Sequence, residues 1–347
     1  MNTRTIVFRK TISLVALLLL MGCSGTVPTV FQHNLHGRPT PWTHNRFDNA
    51  EDKFTFAIFS DLNGGEREKV FEVAVAQLSL LRPELILSVG DLIDGGTENR
   101  ETLRQEWESF DVRASRAVAP VFKVGGNHDL TNQTMRDVWM EQYGARYYHF
   151  IYKNVLFLAL DSEDYSDDRM QEIYEARAEY IELRNSIEPE QVKEMNYMKM
   201  PERTTGEMGK EQSDYFLKVI AEHPNVDWTF LFMHKPVWLK ENDPEFSAIE
   251  SALSNRLYTL FNGHFHSYSH TIKNGRDYIM LGTTGGSQNA GNEMSFDHVM
   301  MVTMTKDGPT FGNLRLDGIL DKTGHIPADG NSLCFQASKC KDEEDEE

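Results

Sequence analysis

Val124-Gly125-Gly126-Asn127-His128-Asp129 closes a short apolar run, Pro120-Val121-Phe122-Lys123-Val124, whose pattern predicts a buried strand. Two glycines let the backbone turn sharply where that strand ends. Three side chains that ligate metals or carry protons follow at once. Loops at strand ends are where α/β sheets usually build their sites. Taken alone, Asn127-His128-Asp129 reads equally well as an ordinary polar turn.

The same arrangement recurs along the chain. Phe54-Thr55-Phe56-Ala57-Ile58-Phe59 leads to Asp61 and Asn63, and Leu85-Ile86-Leu87-Ser88-Val89 leads to Asp91. Thr229-Phe230-Leu231-Phe232-Met233 delivers His234, and Leu257-Tyr258-Thr259-Leu260-Phe261 runs into Gly263-His264-Phe265-His266. Apolar strands thus deliver Asp, Asn or His at their ends. Such a mixed oxygen and nitrogen donor set suits borderline divalent metals.

In this order the blocks resemble the calcineurin-like metallophosphoesterases. That family's pattern is Asp-x-His, Gly-Asp, Gly-Asn-His-Asp or Glu, a lone His, then Gly-His-x-His. The resemblance spans residues 53–318, and Asn63 stands where the family has the His of Asp-x-His. It implies an α/β (α+β) fold, a four-layer sandwich of two mixed β-sheets flanked by helices. It also implies two divalent metal ions (Mn, Fe or Zn). One would be held by Asp61, Asp91 and His266, the other by Asp91, Asn127, His234 and His264. Asn63 is either a weaker ligand of the first ion or the cap of the next turn. The implied reaction is hydrolysis of a phosphate monoester or diester by a metal-bridging hydroxide. His128, which has no metal to hold, becomes the general acid, and Asp129 is expected to orient its imidazole. The alternative is a catalytically silent envelope lipoprotein that keeps the fold and binds a partner.

Composition narrows the partners. The chain has 347 residues, 40% of them hydrophobic, with a formal net charge of -18. A surface that negative repels phosphate backbones, so no nucleic acid partner is expected. The start of the chain has Arg4, Arg9 and Lys10 before a short apolar run that ends in Leu20-Met21-Gly22-Cys23. It resembles a bacterial lipobox, so residues 1–22 are expected to be a lipoprotein signal peptide and Cys23 a lipid anchor. The alternative is an ordinary cleaved signal peptide. The expected location is the cell envelope, on the periplasmic side of the outer membrane. Residues 23–52, rich in Pro and Gly, read as a tether in which His33, His36 and His44 are plain linker residues. Export implies an oxidising compartment, where Cys334 and Cys340 either close a small disulfide loop or remain free thiols. Residues 319–347 read as a tail with a disordered acidic end.

Apolar spacing predicts helices over 66–81, 98–117, 131–143 and 211–223, with Leu103, Trp107, Phe110 and Val118 facing inward. Lys153-Asn154 and Asn274-Gly275 read as hairpin turns, and a strand is expected over 298–305. Residues 163–210 form a charged helical insertion, either a lid over the site or a peripheral hairpin packed by its methionines. The glycine-rich loop from Thr283 to Asn292 lacks the features of a nucleotide P-loop. His298 reads either as a structural histidine or as one that approaches the site.

Overall fold

The computed structural model describes residues 50–340. The expected signal peptide, Cys23, nearly all of the expected tether and the acidic end lie outside these residues. In chain order the first half contains β1 (Phe54–Phe59), α1 (Val70–Leu81), β2 (Leu85–Ser88), α2 (Arg100–Ala114), β3 (Val121–Phe122), α3 (Asn127–Leu130), α4 (Gln133–Tyr143), β4 (Tyr148–Tyr152) and β5 (Val155–Ala159). The insertion supplies α5 (Asp167–Leu183), α6 (Pro189–Glu194) and α7 (Asn196–Lys199). Then come α8 (Lys210–Glu222), β6 (Trp228–Phe232), α9 (Pro244–Ala252), β7 (Tyr258–Asn262), β8 (Ser269–Lys273), β9 (Arg276–Met280), β10 (His298–Thr305) and β11 (Gly308–Arg315).

Two mixed sheets result, ordered β11-β10-β1-β2-β3 and β4-β5-β6-β7-β9-β8. Strands β1, β2 and β3 run parallel, as do β5, β6, β7 and β9. The continuous apolar runs are explained by burial on both faces. Phe54, Phe56 and Ile58 of β1 meet Phe157, Phe230 and Phe232 of the second sheet. Phe56 packs edge-on against Phe230, with ring centroids 4.9 Å apart. The alternate residues Ala57 and Phe59 turn outward onto Phe71, Trp107, Phe110 and Trp139 of α1, α2 and α4. Leu156, Leu158 and Leu231 turn the other way, onto Phe216 and Ile249 of α8 and α9. Period-two alternation therefore makes three interfaces, and so four layers. Fully burying one such phenylalanine contributes roughly 1.5–3 kcal/mol.

Several local expectations change. Residues 66–69 are not helical. Arg67 donates to both Asp297 oxygens at 2.6 Å, to Gly286 O and to Cys334 O, and Lys69 has φ 68°. These ties to distant segments keep the turn out of the helix. Helix α2 stops at Ala114, so Val118 falls in the following loop and is 57% exposed instead of inward. Strand β11 was not expected, because Gly308, Pro309 and Gly312 are poor strand formers. Its pairing with β10 through all eight residues of register supplies the stability its composition lacks. Both hairpin turns form with positive φ at their central residues, as two-residue turns require. Cys334 and Cys340 are joined by a disulfide. Between them Phe335 is buried, and its carbonyl accepts the Asp297 N–H.

Candidate metal centre

The strand ends meet as the parallel topology requires. Asp61 follows β1, Asp91 follows β2, and Asn127 and His128 follow β3. His234 follows β6, and His264 and His266 follow β7. Asp61, Asp91, His264 and His266 all have positive φ, between 48° and 82°. Non-glycine residues enter that region at a cost of order 1–3 kcal/mol each, and such strain collects at functional sites. Gly126 shows how close the chains come. A Cβ there would clash with the Asp91 carboxylate and lie 2.7 Å from the His234 ring.

Asp61, Asp91 and His266 bring one ligand atom each within 4.8 Å of one another. His266 Nε2 lies 3.4 Å from Asp61 Oδ1. Beside them, His234 Nε2 lies 3.1 Å from Asp91 Oδ2 and 3.2 Å from Asn127 Oδ1. Asp91 is thus common to both groups. The His264 ring stands 5.2 Å from that of His234, and its backbone N–H donates to Asp61.

Backbone carbonyls choose the tautomer of each ring. His234 Nδ1 donates to Val89 O at 2.8 Å, and His266 Nδ1 to Ser287 O at 2.6 Å. Their Nε2 lone pairs are left for the carboxylate side. In His264 the roles reverse: Nε2 donates to Arg203 O at 2.8 Å and leaves Nδ1 free. A carbonyl behind each imidazole is the support that metal-ligating histidines ordinarily have. Six groups fit divalent cations here: two buried carboxylates, an amide oxygen and three tautomer-fixed imidazoles.

The electrostatics agree. Burial opposes the charged form of Asp91, but His234 and His128 hold its pKa well below the usual carboxylate range. Burial also opposes charge on His234, yet Asp91, helped by Asp61 and Glu163, raises it to about 9. His266 is raised against its own burial by Asp61. His264 is pushed well down by burial and by His234 beside it. This pocket favours positive charge at its centre, and a metal ion and protons compete for the same nitrogens.

Asp129 is a correction. It does not touch the His128 ring. Its Oδ1 accepts the N–H groups of Leu92 and Ile93, and its Oδ2 that of Gly126, so it ties the Asp91 loop to the His128 loop. The His128 ring is oriented instead by Asp94 O, which accepts Nδ1–H at 2.8 Å. Asn63 does not cap a turn. Helix α1 starts after Lys69 with no side-chain cap, and Asn63 Oδ1 is buried without a hydrogen-bond partner. His298 is structural: buried among Tyr268 and Phe296, it accepts the Gly282 N–H at Nε2. The glycine-rich loop is a brace, since Gly286 N donates to Asp61 O and Ser287 O holds His266.

Sequence reasoning missed Arg177. Its Nη2 lies 3.0 Å from His128 Nε2. A cavity of about 980 Å³ opens above Asp91, Asn127, His128, His264 and His266, and residues of the insertion wall it on one side. The only signal for this was the spacing of Arg177, Tyr180, Ile181 and Arg184, one face of a helix.

Among solved structures the chain is similar to a dimetal phosphatase from Danio rerio, with 14% identity, 75% of this chain and 99% of that chain covered, and a TM-score of 0.49. It is also similar to GAP50, described as the anchor in the inner membrane complex of Plasmodium, with 13% identity, 79% and 87% covered, and a TM-score of 0.49. PhoD is 12% identical, with 75% and 68% covered and a TM-score of 0.47. No curated protein matches in sequence. The profile of the calcineurin-like phosphoesterases matches residues 54–268, from β1 to just beyond His266. The chain belongs to the calcineurin-like phosphoesterase family.

Proposed function

We propose that this protein is a metal-dependent hydrolase of phosphate esters. The observation that carries the reading is the shared position of Asp91 between two groups of donors whose ring tautomers are already set. One cation would be held by Asp61, Asp91 and His266, with Asn63 as the weak donor. The second would be held by Asp91, Asn127, His234 and His264. Bound there, the two ions supply an activated water and neutralise charge on the phosphoryl oxygens.

The chain's own residues do the remainder. With Nδ1 committed to Asp94 O, His128 exchanges protons only through Nε2, beside Arg177 and the cavity. Burial lowers its pKa and Arg177 adds to the effect, so the ring rests neutral. A phosphate dianion placed against Arg177 offsets that cation and raises the ring's proton affinity. His128 then takes up a proton from solvent at Nε2 and passes it to the leaving oxygen, while Arg177 grips the non-bridging oxygens.

A silent partner-binding lipoprotein would have no use for three tautomer-fixed imidazoles around two buried carboxylates. Metal analysis with chromogenic monoester and diester substrates separates the two readings. Asp91→Ala should lose metal and hydrolysis together, and hydrolysis at the wild-type rate in that variant overturns the two-ion assignment.

We also infer an envelope location with Cys23 as lipid anchor. The basic and apolar leader before Cys23 supports it, and so does the Cys334–Cys340 disulfide, which suits an oxidising compartment.

A further inference from the structure

Helix α5 has two working faces. Met170, Ile173 and Ala176 are buried and form a small core with Tyr165 and Met200. Arg177, Tyr180, Ile181 and Arg184 follow at i, i+3, i+4 and i+7, and all four line the cavity over the metal centre. The helix is moored at its root. Arg136 of α4 donates to the carbonyls of Glu163 and Tyr165, and the buried Lys235 ammonium meets Glu163 at 3.0 Å. The wall is preformed.

Its charges lack partners. Arg169, earlier on the same helix, is paired with Glu202 and Glu172. Among the described residues Arg177, Arg184 and Arg203, the three arginines that line the cavity, form no ion pair, although the chain carries a net charge of -18. Arg177 stands at His128. Arg184 follows two turns later, at the C-terminal end of the helix and 5.7 Å from the Tyr180 ring, which packs on Tyr197 at 5.3 Å. Between the cations the wall is carbon-rich: Ile181 and Phe265 are 44% and 40% exposed. At about 980 Å³, the cavity matches pockets that take whole small molecules, far more than one phosphate needs.

We propose that this face of α5 is a leaving-group subsite, and that the substrate is a phosphate ester whose leaving group carries a second anionic group. Arg177 holds the reacting phosphate, and Arg184, two turns along the same helix face, holds the distal anion, with Arg203 adding a further unpaired charge to the cavity wall. The Tyr180, Ile181 and Phe265 surfaces cover the carbon framework between them. Unpaired guanidinium groups in an acidic protein are what a polyanion seeks, since each adds charge-assisted hydrogen bonds. The proposal rests on the phosphoesterase reading for its reaction but not for its binding.

The test uses a matched pair, glucose 1-phosphate and glucose 1,6-bisphosphate, which differ by one phosphate. Calorimetry on chelator-treated full chain reads binding without turnover. The bisphosphate should bind at least about tenfold more tightly, and Arg184→Ala with Arg203→Ala should abolish most of that difference. Arg184→Lys should restore part of it by returning a point charge. In the metal-loaded protein the double variant should lower kcat/KM for the bisphosphate about tenfold more than for the monophosphate. Equal affinity of the wild type for the two sugars, or a preference that survives the double variant, overturns the subsite. Should the double variant unfold, Arg184→Gln alone decides by the same ratio. Failure to hydrolyse any ester, with the calorimetric preference intact, would strike the enzymatic reading and leave the subsite standing.

Discussion

Arg177 Nη2 lies 3.0 Å from Nε2 of His128, joining a helix of the insertion to the loop after β3. A guanidinium cannot accept a proton, so it donates here and His128 Nε2 accepts. Two residues 49 apart in sequence thus meet at the cavity, where the proposed reaction would place a phosphate's outer oxygens. Residues of α5 line the cavity beside His128, while Met170 and Met200 of the same insertion pack in a small core.

His128→Ala should keep its metals and lose turnover by roughly 10²–10⁴-fold, the usual span for a general acid. The loss should shrink with very acidic leaving groups, which need no proton. Arg177→Ala should instead act mainly on KM. Loss of a metal ion from the His128 variant, measured by elemental analysis, would show that the residue is a ligand.

Asn63 Oδ1 is buried with no partner. As a neutral amide it is a poorer donor than imidazole. Metal titration of stripped protein should show two unequal affinities, with activity following the weaker. Asn63→His should tighten the weaker site, and Asn63→Ala should weaken it further. Identical titrations for all three proteins would remove Asn63 from the ligand set.

His298 links acid pH to stability. Burial lowers its folded pKa to about 4, against an unfolded value near 6.5. Between those values the unfolded chain binds the extra proton, so stability is full above pH 6.5 and falls as pH drops towards 4. By pH 5 the group alone should cost about 2 kcal/mol. His298→Gln retains an acceptor for Gly282 N and cannot titrate. Its denaturant midpoint should therefore fall less than that of the wild type between pH 7.5 and 5. Parallel losses would assign the acid sensitivity elsewhere.

Cys23→Ser should move the protein from the membrane fraction to the soluble fraction with its hydrolytic rate unchanged. A wild-type protein that is already soluble and free of lipid by mass spectrometry would dismiss the anchor.

The continuous apolar run Phe54-Thr55-Phe56-Ala57-Ile58-Phe59 was enough to predict a buried strand, and in the structure each neighbour along it points to the opposite side, so both faces are covered. The ordered placement of Asp61, Asp91, Asn127, His128, His234, His264 and His266 behind such strands was likewise legible, since parallel strands bring their ends to one edge. Asp129 shows where this reading stops. Its place beside His128 suggested a partner for the imidazole, but successive side chains diverge, and it serves three backbone N–H groups instead.

Local pattern decided what the strands bury and which residues arrive at their ends, since both follow from a repeat of two along one segment. Only the tertiary structure decided which atoms face each other. Val89, Arg203 and Ser287 select the histidine tautomers through carbonyl groups that every residue carries, so no side chain announces them. Arg67 and Asp297, far apart in sequence, open a turn that helical spacing would have closed. Arg177 reaches His128 because the buried clamp on Glu163 aims α5 at the site, and that direction depends on contacts between segments and not on any repeat within one.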